Sequence, residues 1–159
     1  MIDTLRFELI DISDLSKELA LPITSISIGL DSFRRANSLT FWRPDRSGIR
    51  ISAIMRDVAE QFELPVLRLE RRENDSDKGG VSIQLGDEPT IVSAVYQLVI
   101  EENGYSAEAG LLLIGIPSLR VMLVPDSFPY SLSISGVPGF DAESDPGWSF
   151  EEFKLVQIV

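Results

Sequence analysis

Glu88-Pro89-Thr90-Ile91-Val92-Ser93-Ala94-Val95-Tyr96-Gln97-Leu98-Val99-Ile100-Glu101-Glu102-Asn103-Gly104 is the stretch on which the fold turns. Asp87 can cap a helix here, Pro89 suits its first turn, and Asn103-Gly104 supplies a left-handed exit. Thr90, Ser93, Gln97 and Glu101 then line one narrow stripe and leave the rest apolar, so the spacing predicts a mostly buried helix over residues 88–103. Ile91, Val92, Val95, Val99 and Ile100 favour strands intrinsically. The competing reading is a long strand that turns at Asn103-Gly104. The helix is the reading carried forward.

A second helix is predicted over residues 47–62, because Ile51, Ile54, Met55, Val58, Ala59 and Phe62 fall at helical spacing and Leu64-Pro65 ends the run. The two segments align at an offset of 41, with Ile51-Ser52-Ala53-Ile54 against Val92-Ser93-Ala94-Val95. Strands are expected around them at 2–10, 23–30, 38–43, 66–72, 81–85, 110–116, 119–124, 130–135 and 153–158. Residues 13–20 could form two helical turns before Pro22, residues 31–37 a loop or short helix, and residues 73–80 a hairpin loop. The order strand–helix–strand, twice, is that of a split βαβ unit. The expected fold is a single α+β domain: a mostly antiparallel sheet with two main helices on one face, as a ferredoxin-like βαββαβ core with added C-terminal strands.

Composition narrows the chemistry. The 159 residues include no His and no Cys, and 25 acids outnumber 14 bases, for a formal charge of −11. Histidine is the usual general base near neutral pH, and His and Cys are the usual ligands of transition metals. Their absence removes thiol redox chemistry and most nucleophile–base pairs, so the expectation is no enzyme activity, no cofactor and no metal. Nucleic acids and anionic membranes call for clustered Lys and Arg, and neither is expected as a partner. The charged opening residues do not form a signal peptide and no apolar run nears the ~20 residues of a membrane span, which points to the cytoplasm. Charge is uneven along the chain. Residues 31–60 carry six Arg against four acids, and residues 101–159 carry nine acids against Arg120 and Lys154.

Two acidic loops invite a calcium reading and fail it. Asp75 as first ligand puts Gly86 where a bidentate Glu belongs, and the loop beginning at Asp141 has Pro146 in place of the turn glycine. Ser13, Ser16 and Lys17 suit helix capping better than nucleophilic catalysis. Trp42, Arg43, Arg46 and Arg50 form an alternative anion or partner site at the start of the expected helix. The preferred reading of the same residues packs Trp42 in the core and pairs the arginines with Asp45 and Asp57. The last third interleaves aromatics with carboxylates, and Tyr130, Phe140, Asp141, Glu143, Asp145, Trp148, Glu151 and Glu152 are its candidate partner-binding residues. Rings supply slow release and charge speeds encounter with a basic surface.

This profile (small, acidic, without catalytic residue types) is similar to that of bacterial immunity proteins, which neutralise a toxin by binding it. What the similarity implies is an acidic inhibitor of a basic toxin domain. The alternatives are an oligomeric or adaptor subunit, pairing with copies of itself, and a metal-dependent hydrolase that uses only carboxylates.

Overall fold

Ile49, Ile51 and Ala53 are buried in the main core, while Arg50, Ser52 and Ile54 between them turn to the opposite face. That period of two makes a strand, not a helix. A computed structural model describes residues 3–8, 12–19, 22–59, 62–73, 80–102, 104–116, 118–140 and 145–158. In chain order it contains β1 (Asp3–Leu5), α1 (Ile12–Glu18), β2 (Ser25–Leu30), β3 (Ala36–Trp42), β4 (Ser47–Ala59) and β5 (Phe62–Glu73). There follow β6 (Val81–Gln84), β7 (Ile91–Glu102), β8 (Tyr105–Ile116), β9 (Arg120–Pro125), β10 (Leu132–Ser135), a 3-10 turn (Phe150–Glu152) and β11 (Lys154–Gln157).

The α+β, ferredoxin-like expectation is therefore overturned. Both segments expected as main helices, 47–62 and 88–103, contain long strands, β4 and β7, and the one α-helix among the described residues is the seven-residue α1. The reason in β7 is physical. It is buried on both faces in places, so its apolar residues do not alternate cleanly. Register shifts between Val92 and Ala94 and between Leu98 and Val99 also reset the phase of the pairing with β8. Pro65, read as a helix terminator, pairs with Met55 within β5, the outermost strand of its sheet, where a missing N–H costs no ladder bond. The 41-residue correspondence matches the first strands of two long hairpins, β4–β5 and β7–β8, one in each sheet. The smaller strands fall close to where they were expected. The loop of residues 74–79 lies outside the described residues.

One sheet has the order β10-β9-β8-β7-β11, with β1 running parallel to the far end of β8; the other has the order β5-β4-β3-β2-β6. Their facing sides share one core. Ile26, Ile28, Leu39, Phe41, Ile49, Ile51, Leu67 and Leu69 from the second sheet meet Val95, Leu111, Leu113, Val121, Leu123 and Leu132 from the first, and Leu15 and Leu19 of α1 join them. Each such side chain contributes about 1.5–3 kcal/mol when fully buried. Two chain segments stitch the layers. After β1 leaves β8, Glu8 bridges to β5 through its N–H to Leu67 O at 3.0 Å and its carbonyl to Leu69 N at 3.0 Å. Ile23 and Thr90 exchange hydrogen bonds of 2.8 and 2.7 Å where β2 and β7 begin.

The outer side of the first sheet is covered by the chain's own C-terminal part. Pro146 bridges to Asp126, and Trp148 and Phe153 pack with Leu98, Ile100, Ala107, Ala109 and Val124 in a second apolar cluster, which Leu64 of β5 and Val58 of β4 also join. The strap then ends as β11, added antiparallel to β7.

Candidate functional site

Two turns meet at one end of the sandwich. The β2–β3 turn is closed by Asp31, whose Oδ1 accepts the N–H groups of Phe33 at 2.8 Å and Arg35 at 2.9 Å. This Asx arrangement leaves Phe33 82% exposed and puts Arg34 at a φ of 63°. The β9–β10 loop is organised by Asp126, a buried carboxylate. Its Oδ1 accepts Phe128 N–H at 3.1 Å, and its Oδ2 accepts Ser133 Oγ at 3.0 Å and Asp145 N–H at 2.9 Å. Burial works to raise the Asp126 pKa, but the amides of Asp145 and Phe128, the Ser133 hydroxyl and the Arg35 charge outweigh it and hold the group below the ordinary carboxylate value.

Arg35 joins the turns. Its guanidinium carbon lies 3.5 Å from the Phe128 ring centroid and its Nη1 lies 3.8 Å from Asp126 Oδ1. A guanidinium stacked on a ring at this distance adds about 0.5–1 kcal/mol at an exposed site. The lock holds Phe128 half out of the protein at 50% exposure, with Tyr130 two residues on at 58% and a φ of 65°. Arg34, Arg46 and Tyr130 are the non-glycine residues with positive φ among the described residues, and two of the three belong to these aromatic turns. Such backbone costs about 1–2 kcal/mol per residue and is retained only where something else specifies it.

The residues singled out from sequence disperse. Tyr130 stands at this end. Asp145 joins it through its N–H to Asp126 and through Ser127 Oγ, which donates to Asp145 Oδ2 at 2.8 Å. Asp141 and Glu143 lie outside the described residues. Phe140 is half-buried against the main core, and Trp148 is half-buried in the outer cluster. Glu151 is exposed in the 3-10 turn, and Glu152 accepts Ser149 N–H at 2.7 Å. Phe33 and the Asp126 lock were missed. The signal available for Phe33 was an aromatic in a segment whose Asp31-Ser32 opening and flanking strands already marked it as a turn.

The arginine group is not one site. Trp42 is buried, with Nε1 donating to Ser27 Oγ at 2.8 Å. Arg43 is held by the Glu18 carboxylate at 2.6 Å and by Ser47 Oγ at 2.8 Å. Arg46 is exposed in the β3–β4 turn, and Arg50 lies across from Thr40 and Glu70 on the outer side of the second sheet. No helix begins at Ser47, so the anion site expected from a helix N-terminus has no basis. Among the described residues, no group of three or more Asp or Glu side chains is placed to hold a metal ion.

A different buried carboxylate sits between the sheets. Glu108 Oε1 accepts Phe7 N–H at 2.7 Å, and its other oxygen takes the Gln97 side-chain amide. Burial raises its pKa, opposed by the Phe7 amide and the Arg6 charge. Its role is to pin the stitching segment to β8. No helix among the described residues is long and apolar enough to cross a membrane. No protein-family model matches the chain, and no curated protein or solved structure is similar to it at a level that shows kinship.

Proposed function

We propose that this chain is a non-enzymatic protein-binding module of the immunity type, which neutralises a basic toxin domain by binding it at the end where the two aromatic turns meet. The observation that carries the reading is the exposure of Phe128 and Tyr130 on a loop held by the buried Asp126 lock, with Phe33 exposed on the Asp31 turn that Arg35 joins to it. Rings presented rigidly at a surface lose little entropy on binding and are the residue type that anchors interfaces. Two left-handed non-glycine residues at the same turns fit a surface specified for something other than stability. The net charge of −11 supports a basic partner, since a field of that sign steers cations and repels anions. Arg35 is already engaged by Asp126 and Phe128, which leaves the exposed Arg34 as the cation of the β2–β3 turn.

The test uses two matched baits, the natural chain and a variant carrying Phe33→Ala, Phe128→Ala and Tyr130→Ala. A basic protein retained by the first and lost from the second is expected, with retention weakening as salt rises. That protein, expressed without this chain, should arrest growth, and co-expression should restore it. Equal retention by both baits, or a retained partner whose expression is harmless, overturns the proposal.

A further inference from the structure

Sheet edges are where chains add to one another, and natural proteins guard them. Here the outer edge of β5 is engaged at Leu67 and Leu69 by the Glu8 bridge and ends in the charged Arg71, Arg72 and Glu73. β6 shows Ser82 and Gln84 to solvent with Val81 and Ile83 half-buried, and β10 leads with buried Leu132 and Ser133. β11 differs. All four of its residues are exposed, and Leu155 and Val156 are apolar at 40% and 37% exposure.

The direction of its backbone groups follows from the pairing with β7. Ile158 N–H reaches Val95 O at 2.9 Å, so residues 154, 156 and 158 direct their polar groups at β7. By alternation the N–H and C=O of Leu155 point the other way, out of the sheet edge. Strands related by a two-fold axis normal to a sheet can pair only residues of like parity. With Leu155 on the axis, it exchanges both backbone bonds with its copy, and Lys154 on each side faces Val156 of the other. Lys154 is the sole base in residues 121–159, and in this register it meets an apolar residue and not its own copy. The edge is complementary to itself.

We propose that β11 pairs antiparallel with β11 of a second copy of this chain, so that two copies share one continuous sheet. The contact is small, of the weak and reversible class, with a dissociation constant on the order of 10⁻⁴ M. Each copy carries −11, so repulsion opposes the pair and salt strengthens it by screening. A basic partner at the aromatic turns shows the reverse dependence, and the two proposals fail separately.

Sedimentation equilibrium in 0.5 M NaCl, with protein up to about 1 mM, reads the result. A monomer–dimer equilibrium that weakens at least threefold in 0.05 M salt is expected. Leu155→Pro removes only an N–H that points away from β7, and edge positions of that kind tolerate proline. It should abolish the dimer while keeping the melting temperature of the parent. Val156→Lys sets two cations opposite each other across the axis, and should abolish the dimer even if the proline variant fails to fold. A chain that stays monomeric at 1 mM, or folded variants that dimerise as the parent does, overturns the proposal.

Discussion

Replacing Asp126 by alanine should cost about 3–5 kcal/mol, because it removes the acceptor of the Phe128 and Asp145 amides and the Ser133 hydroxyl. Ser133 is buried and has no water to turn to, so its orphaned hydroxyl accounts for about 1.5–3 kcal/mol as a lost bond to a charged group. The amides of Phe128 and Asp145 lie in partly buried loop, where water recovers some of the loss, and add about 1 kcal/mol each. Asp126→Asn keeps one carbonyl acceptor and the shape, and should cost about 1–2 kcal/mol. The pH dependence separates charge from shape. The folded pKa of Asp126 lies below its unfolded value, so its charge stabilises the fold above the unfolded pKa near ~3.9, and that stability is lost as pH falls through the folded pKa. Urea unfolding at pH 7 and again below pH 4 reads both quantities, and the gap between parent and Asp126→Asn should narrow in acid. An alanine variant within 1 kcal/mol of the parent at pH 7 would refute the argument that this carboxylate organises the loop.

Three further substitutions test other joints. Glu108 has a raised folded pKa, so its contribution is complete below the unfolded value and is lost as pH rises through the folded one; Glu108→Gln should remove that loss, and thermal melts at pH 4 and pH 8 should then differ less than in the parent. Gly136 has a φ of +86°, and a Cβ there would lie 1.7 Å from Arg120 O, so Gly136→Ala should cost about 3 kcal/mol by equilibrium unfolding as the β10 end is forced off β9. Glu18 joins α1 to Arg43 and Arg71 at 2.6 Å each, and the Arg43 hydrogen bond is the main cause of its lowered pKa. Glu18→Gln should cost about 1–2 kcal/mol at pH 7, and the difference from the parent should vanish as acid protonates the parent carboxylate.

The short strands were legible because turns marked their ends: Pro22 before β2, Pro125 at the end of β9, Pro138 and Pro146 beyond β10. The two longest strands were not, and for different reasons. In β4 the set Ile51, Ile54, Met55 and Val58 mimics a helical stripe, although Ile49, Ile51 and Ala53 carry the period of two that burial follows. In β7 the alternation is hidden by burial on both sides, Val95 and Gln97 facing the core between the sheets and Leu98 and Ile100 facing the strap. The partners that make that second side apolar are remote in sequence: Leu64 of β5 and Val58 of β4 well before it, Trp148 and Phe153 of the strap fifty residues after it. Intrinsic strand preference of Val and Ile held the answer, but capping and turn residues at both ends spoke for a helix equally well.

The candidate site was legible as composition and not as place. Aromatics and carboxylates do crowd the last third, yet there they perform three separate tasks. Trp148 and Phe153 close the outer side of a sheet, Glu152 accepts the Ser149 amide, and Asp126 with Asp145 builds a loop. What remains are exposed rings, Phe128 and Tyr130 at the Asp126 loop and Phe150 in the 3-10 turn, and the fold sets Phe33 beside the first two from a turn almost a hundred residues earlier. The distinction is one of competing uses. An aromatic that lies over an apolar face is spent on stability, whereas one held in water by a buried carboxylate and a stacked guanidinium has its free energy still to gain, and only a partner supplies it.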